Sequence, residues 1–172
     1  MEAHMLRLAR QAVEHYVRTG EFLSPPPNPP PGLSEPGAAF VSLRVGGTLR
    51  GCIGTLGATK PTLTEEIIAN AVAAAVSDPR FLPVSVAELP ALSYEVDIVG
   101  PLAPVAGEAE LDPDRYGVVV ECGRRRGVLL PAIEGVTSTE QQVAIARAKA
   151  AITPDEPVTL YRFTVRRFKE ES

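Results

Sequence analysis

Apolar residues recur along this chain with two different periods, and the two periods mark out its elements. Met5, Leu8, Ala9, Ala12, Val13 and Tyr16 return at steps of three and four. That is the spacing of one helical face, and it predicts a helix over 2–19 that Gly20 stops. Phe40-Val41-Ser42-Leu43-Arg44-Val45 and Leu49-Arg50-Gly51-Cys52-Ile53-Gly54 alternate with period two around Gly46-Gly47-Thr48, which predicts a β-hairpin. Thr62-Leu63-Thr64-Glu65 has the spacing of a capping box. It opens a helix to about Ser77 with Leu63, Ile67, Ala71, Ala74 and Ala75 as its apolar stripe. Asp78-Pro79-Arg80-Phe81 ends that helix, because proline bars the residue before it from helical geometry.

Leu92 to Val99 reads as a strand, with Glu95 and Asp97 opposite the apolar positions. Gly117–Cys122 and Gly127–Leu130 predict a second hairpin around a tip of Gly123, Arg124, Arg125 and Arg126. Thr137-Ser138-Thr139-Glu140 opens a helix to about Ile152, and Val158 to Phe168 alternates as one half-buried strand. Residues 101–107 read as a loop. The proline run from Ser24 to Gly32 is an extended strap. No repeat of 20–50 residues is visible. Hairpins separated by helices predict an α+β fold with a largely antiparallel sheet and flanking helices. One helix cannot stand alone, so residues 1–172 read as one domain, with helix 2–19 and strap 24–37 docked on a core at 38–168.

The register of the first hairpin decides which side chains share a face. A two-residue turn pairs Leu43 with Arg50 and Val41 with Cys52, mixing apolar and polar groups. A three-residue loop, Gly46 to Thr48, pairs Val45 with Leu49, Leu43 with Gly51 and Val41 with Ile53. It sets Arg44 opposite Arg50 and Ser42 opposite Cys52 on the other face, and it is the register we expect. Like charges directly opposite on a sheet repel. The arginine pair therefore calls for a carboxylate from Asp78, Glu95 or Asp97, or for a bound anion.

Composition narrows the function classes. With 45% hydrophobic residues in 172, the chain can build a core, and no long uncharged run predicts a membrane span. Charges interrupt any signal-like run at the start. A net charge of −4 argues against nucleic acid or an anionic membrane as partner. Two cysteines, Cys52 and Cys122, point to reduced thiols and a cytoplasmic setting. His4 and His15 sit in the first helix without ligand-spaced companions, so no metal site and no cofactor are predicted.

Candidate chemistry gathers at the hexapeptide. Arg50 and Cys52, two apart on a strand, share a face, and a nearby guanidinium favours thiolate over thiol. Gly51 and Gly54 let backbone approach a ligand. A cysteine packed as a small core residue is the alternative. Arg80 reads as a local partner of Asp78, and Arg124 to Arg126 as a solvated tip.

Leu49-Arg50-Gly51-Cys52-Ile53-Gly54, followed by Thr55-Leu56, resembles the signature hexapeptide of the AMMECR family, whose prokaryotic members are called AmmeMemoRadiSam system protein A. Phe40-Val41-Ser42-Leu43, Asp78-Pro79-Arg80-Phe81, Glu88-Leu89 to Glu95-Val96 and Gly127 to Pro131 follow in the family's order, covering about 36–168. The resemblance implies a larger and a smaller lobe with a cleft between them, beside which the hexapeptide lies. It implies Arg50, Gly51, Cys52 and Gly54 as the site, then Asp78, Arg80 and Phe81, with Lys149 at the family's lysine position. It also implies a MEMO-type protein and a radical SAM protein as partners, through gene neighbourhood. No settled reaction comes with it. Tyr116 stands where many members have a histidine, and no tryptophan follows Pro131.

Two readings follow. In the first, the protein is a binding or accessory protein whose cleft, lined by Arg44, Arg50, Ser42 and Cys52, takes an anionic ligand or a partner segment. In the second it is an enzyme with Cys52 as nucleophile, which needs a base the sequence does not place nearby. A nucleic-acid regulator is a third, weaker reading.

Overall fold

A computed structural model describes residues 1–171 and divides the chain into two compact units. The first unit comprises residues 1–99 and the C-terminal stretch from Arg166. It holds α1 (Glu2–Thr19), β1 (Ala38–Val45), β2 (Thr48–Gly54), α2 (Leu63–Val76) and β3 (Leu92–Val99). The second, Gly100–Val165, holds β4 (Ala103–Val105), β5 (Gly117–Cys122), β6 (Arg125–Leu129), α3 (Thr139–Lys149) and β7 (Thr159–Phe163). A last strand, β8 (Val165–Lys169), joins the first unit's sheet. The fold is α+β, with two four-stranded sheets ordered β2-β1-β3-β8 and β4-β7-β5-β6.

In the first unit α1 and α2 cover one face of the sheet. Met5, Leu8, Ala12 and Val13 of α1 and Ile67, Ala71 and Ala74 of α2 pack with Val41, Leu43, Tyr94 and Val96. Gly20, at φ +75°, ends α1 and returns its N–H to the Tyr16 carbonyl. The Thr62 side chain caps α2 by accepting the Glu65 N–H. The proline strap leads into Leu33, which is buried, and its carbonyl receives both the N–H and the hydroxyl of Thr64. The strap is thereby tied to the first turn of α2.

The second unit repeats the first unit's plan. A hairpin is followed by a helix and then a strand that pairs beside the hairpin's first strand: β1-β2-α2-β3 and β5-β6-α3-β7. The likeness reaches single residues. Asn70 donates to the Ala39 carbonyl at 2.9 Å, and Gln142 to the Tyr116 carbonyl at 2.9 Å. A Cβ on Gly51 would stand 2.1 Å from the Ala74 carbonyl oxygen, and one on Gly127 would stand 1.8 Å from that of Ala146. These glycines therefore let a strand lie against a helix. Where the first unit has Ser42 and Cys52 opposite each other, the second has Val119 and Val128.

Five expectations change. The first hairpin turns on two residues, Gly46 and Gly47, at φ +55° and +81°. Positive φ at both centres suits the twist of the strands. A β-bulge between Leu43 and Arg44 then restores the apolar register, keeping Val41 with Ile53, Leu43 with Gly51 and Ser42 with Cys52. Arg44 consequently faces Leu49, and Arg50 has no opposite residue. The second hairpin also turns on two residues, since Cys122 pairs with Arg125, so Arg125 and Arg126 lie on a strand rather than at its tip. Arg125 pairs with Glu156 and Arg126 with Glu121, both across antiparallel neighbours or the adjacent loop. The helix α3 begins one residue later than expected, because Ser138 rather than Thr137 accepts the capping N–H. The long last strand divides at Thr164, whose carbonyl takes the Gly100 N–H, and its halves enter different sheets. The loop at 101–107 contains the short edge strand β4, in which Pro104 lacks an N–H to give. No helix is long and apolar enough to cross a membrane among the described residues.

Candidate functional site

The face of the first sheet opposite α1 and α2 is polar, and the hexapeptide's thiol lies on it. Cys52, Ser42 and Glu95 stand in one row across β2, β1 and β3, because Ser42 is directly opposite both of the others. The Ser42 hydroxyl donates to Cys52 Sγ at 3.2 Å. Ser42 and Glu95 are buried, and Cys52 is half-buried.

Asp78, at the end of α2, holds the row from the edge of the sheet. Its carboxylate accepts the Cys52 backbone N–H at 3.0 Å, closing an edge-strand donor that has no ladder partner. It also accepts the Arg80 N–H at 3.0 Å and the Arg80 guanidinium through Nε at 3.0 Å and Nη2 at 2.8 Å. Arg80 above all, then these backbone donors, bring the Asp78 carboxyl down to about 2. Arg80 lies over the Phe81 ring at 5.4 Å. The expected local pairing of Asp78 with Arg80 is therefore present, and it is joined to the motif through one hydrogen bond.

Each arginine expected to attract an anion meets a carboxylate of the chain. Arg50 donates to Glu88 through Nε at 2.9 Å and Nη2 at 3.3 Å, and to the Leu82 carbonyl at 2.8 Å. That pairing, first, and the Ser85 donors bring Glu88 down to about 2. Arg44 reaches Glu95 at 4.0 Å. Arg167 of β8 forks onto Asp97 at 2.8 and 3.0 Å and approaches Glu95 at 3.4 Å. Burial, the largest influence, raises the Glu95 pKa, and Asp97 adds to it against the pull of Arg167 and Arg44. The guanidiniums of Arg80 and Arg167 both interact electrostatically with Cys52.

The sequence places Arg50 beside the thiol, but the bulge gives it to Glu88. Gly51 and Gly54 have packing reasons: Gly51 meets Ala74, and a Cβ on Gly54 would stand 2.2 Å from the Phe40 ring. Lys149 closes α3 in the second unit and donates to the Val128 carbonyl at 3.1 Å. Three residues escaped the sequence reading. Glu88 was legible from the capping-box spacing Ser85-x-x-Glu88, which the structure forms. Arg167 had no signal, because basic residues alternate on both faces of the last strand. Glu66 is fully buried and accepts Thr55, Thr59 and Lys60 donors at 2.6–2.9 Å, pinning the loop that leaves the hexapeptide. Among the described residues no group of three or more His, Cys, Asp or Glu could hold a metal ion.

The fold and site define an α+β protein whose thiol-bearing hairpin is braced by an aspartate–arginine pair. The AMMECR1 family model matches residues 6–169, and the chain belongs to that family. A protein of Thermotoga maritima is 50% identical over 167 residues, covering 95% of this chain and 96% of that protein. CA_C1420 of Clostridium acetobutylicum is 41% identical over 170 residues, and these span only 36% of its length. The crystal structure of the uncharacterized protein PH0010 from Pyrococcus horikoshii superposes with a TM-score of 0.93 at 35% identity, covering 99% of this chain and 91% of that one.

Proposed function

We propose that Cys52 is the working group of this protein, a nucleophilic thiol that attacks an electrophilic carbon of a substrate bearing an acidic group. The observation that carries this reading is the Ser42 hydroxyl donating to Sγ at 3.2 Å while Arg80 and Arg167 act on the same sulfur. A hydroxyl donor and positive charge are what stabilise a thiolate, the reactive form. Asp78 engages Nε and Nη2 of Arg80, whose side chain is about half exposed, so its other edge is the one a substrate's acid group would meet. A site for a free anion alone is less well supported, because Arg44, Arg50 and Arg167 are each paired with a carboxylate and Arg80 offers only the edge that Asp78 leaves.

Alkylation by iodoacetamide, read by intact mass in a Cys122→Ser chain, tests the reading. Cys52 is expected to react faster than glutathione at neutral pH and to lose that advantage in Arg80→Ala. Reaction at the pace and pH dependence of an ordinary thiol, near ~8.5, overturns it.

A second reading is favoured by Leu82, 83% exposed, and Val86, 48% exposed, which flank the Arg50–Glu88 pair. Exposed apolar residues beside this pair suit docking of a partner segment, and a MEMO-type or radical SAM protein is the partner class drawn from the family resemblance. Leu82→Asp is expected to weaken co-purification with such a protein; unchanged capture removes this reading.

A further inference from the structure

A nucleophilic thiol needs somewhere to put its proton, and neither histidine is placed to take it. His4 and His15 both lie on α1, which packs against the Tyr94 face of the sheet, the face away from Cys52. The other carboxylates around the hexapeptide are already committed to arginines. Asp78 and Glu88 are held at about 2 by Arg80 and Arg50, and Asp97 is forked by Arg167.

Glu95 is different. It lies one strand beyond Ser42 in the same row, and Ser42 sits between it and Cys52. Residues directly opposite on neighbouring strands have Cβ atoms about 4.5–5.5 Å apart, so Ser42, hydrogen-bonded to Cys52, stands within side-chain reach of Glu95 as well. Glu95 is not forked by an arginine: Arg167 stands at 3.4 Å and Arg44 at 4.0 Å.

We infer that Glu95 is the proton acceptor for Cys52, with the Ser42 hydroxyl as the bridge. The inference rests on the nucleophile reading above and supplies the base which that reading lacks. The S–H bond of Cys52 breaks and its proton passes to Ser42 Oγ, as the Ser42 hydroxyl proton passes to a Glu95 carboxylate oxygen. The electron pair stays on sulfur, one negative charge moves from Glu95 to Cys52, and the total charge is unchanged. In the resulting state Glu95 donates to Ser42 and Ser42 donates to the thiolate, which is the direction of the Ser42–Cys52 bond in the structure.

The charges around the row favour the transfer. Arg80 from the loop after α2 and Arg167 from β8 interact electrostatically with Cys52, where negative charge arrives. Glu95 faces Arg44 on β1, Arg167 and Lys169 on β8, and Asp97 along its own strand. Burial raises the Glu95 pKa, so the carboxylate there takes up a proton more readily than an exposed glutamate does.

Two groups that share one proton titrate as a pair. Alkylation of Cys52 in the Cys122→Ser chain is therefore expected to rise with pH in two steps with a plateau between them. Glu95→Gln keeps the side chain's shape but cannot take a proton, and it is expected to leave a single step. Ser42→Ala keeps both titrating groups and removes the bridge; it is expected to lower the plateau roughly tenfold, the worth of a hydrogen bond to a charged group. Because Ser42→Ala leaves the buried carboxyl untouched, it tests the same chain if Glu95→Gln does not fold. Two steps that survive in Glu95→Gln, with Cys52 still fast, overturn Glu95 as the acceptor and leave the nucleophile reading standing. A Cys52 that behaves as an ordinary thiol in the unsubstituted chain overturns both.

Discussion

Asp78 and Cys52 are joined by a single hydrogen bond, from the Cys52 backbone N–H to Asp78 Oδ2 at 3.0 Å, and through it an acidic helix end braces the strand that carries the thiol. The same carboxylate fixes Arg80. Asp78→Asn is expected to cost about 2 kcal/mol, in the range for hydrogen bonds to a charged group, discounted because Arg80 is half exposed. Urea denaturation measures it.

The acid limb of stability should carry the same signature. Asp78 is held at about 2 in the folded chain, against ~3.9 unfolded. A depressed carboxyl contributes stability that is fully present above its unfolded value and lost as pH falls through the folded one. Between pH ~4 and ~2 the melting temperature of the parent chain should fall, and Asp78→Asn should flatten that fall. Glu88, also at about 2, adds a smaller share because its side chain is more exposed. Parallel acid limbs in parent and variant would refute the assignment.

Glycines pressed against helix carbonyls should not accept a methyl group. Gly51→Ala and Gly127→Ala place a Cβ 2.1 and 1.8 Å from the Ala74 and Ala146 oxygens, and both are backbone atoms that cannot swing aside. Each is expected to destabilise by at least ~1–3 kcal/mol, the usual cost of overpacking. Gly57→Ala, with nothing within 4 Å, is the control and should change stability by less than ~0.5 kcal/mol.

Glu66→Ala removes a buried acceptor and releases the Thr59 and Lys60 N–H groups. A loss of about 1.5–3 kcal/mol is expected, the range for hydrogen bonds to a charged group, because the exposed Thr59 and Lys60 donors can turn to water. Limited proteolysis should then cut the chain within 55–60, where the parent resists.

Arg50→Ala tests the pairing that replaced the expected anion site. It should lower stability by about 1 kcal/mol, as for a partly exposed ion pair, and leave the alkylation rate of Cys52 nearly unchanged. A variant of raised stability would mean that Arg50 is strained by repulsion and that Glu88 does not compensate for it.

Much of the fold was legible along the chain. The helix at 2–19 and the strand at 92–99 coincide with α1 and β3, because period and stop residue are local properties. Ser42 opposite Cys52 was legible too, since the apolar face of the hairpin tolerates only one register over Val41, Leu43, Gly51 and Ile53. The bulge was not. A two-residue glycine turn and the apolar register are incompatible unless one residue is extra, and nothing in the spelling of Arg50 says that it is the one. Nor was the kinship of the two units visible, because it rests on geometry that Asn70 and Gln142, or Gly51 and Gly127, share without a common sequence around them.

The sequence by itself determined the elements, the α+β class and the row that sets serine beside the thiol, because these depend on spacing along a few residues. Only the tertiary structure decided which charged groups gather around that row. Asp78 comes from the end of a helix, Arg167 from the last strand and Glu95 from a strand beyond the hairpin. Electrostatics acts through space over a few ångströms, and distance along the chain carries no record of it.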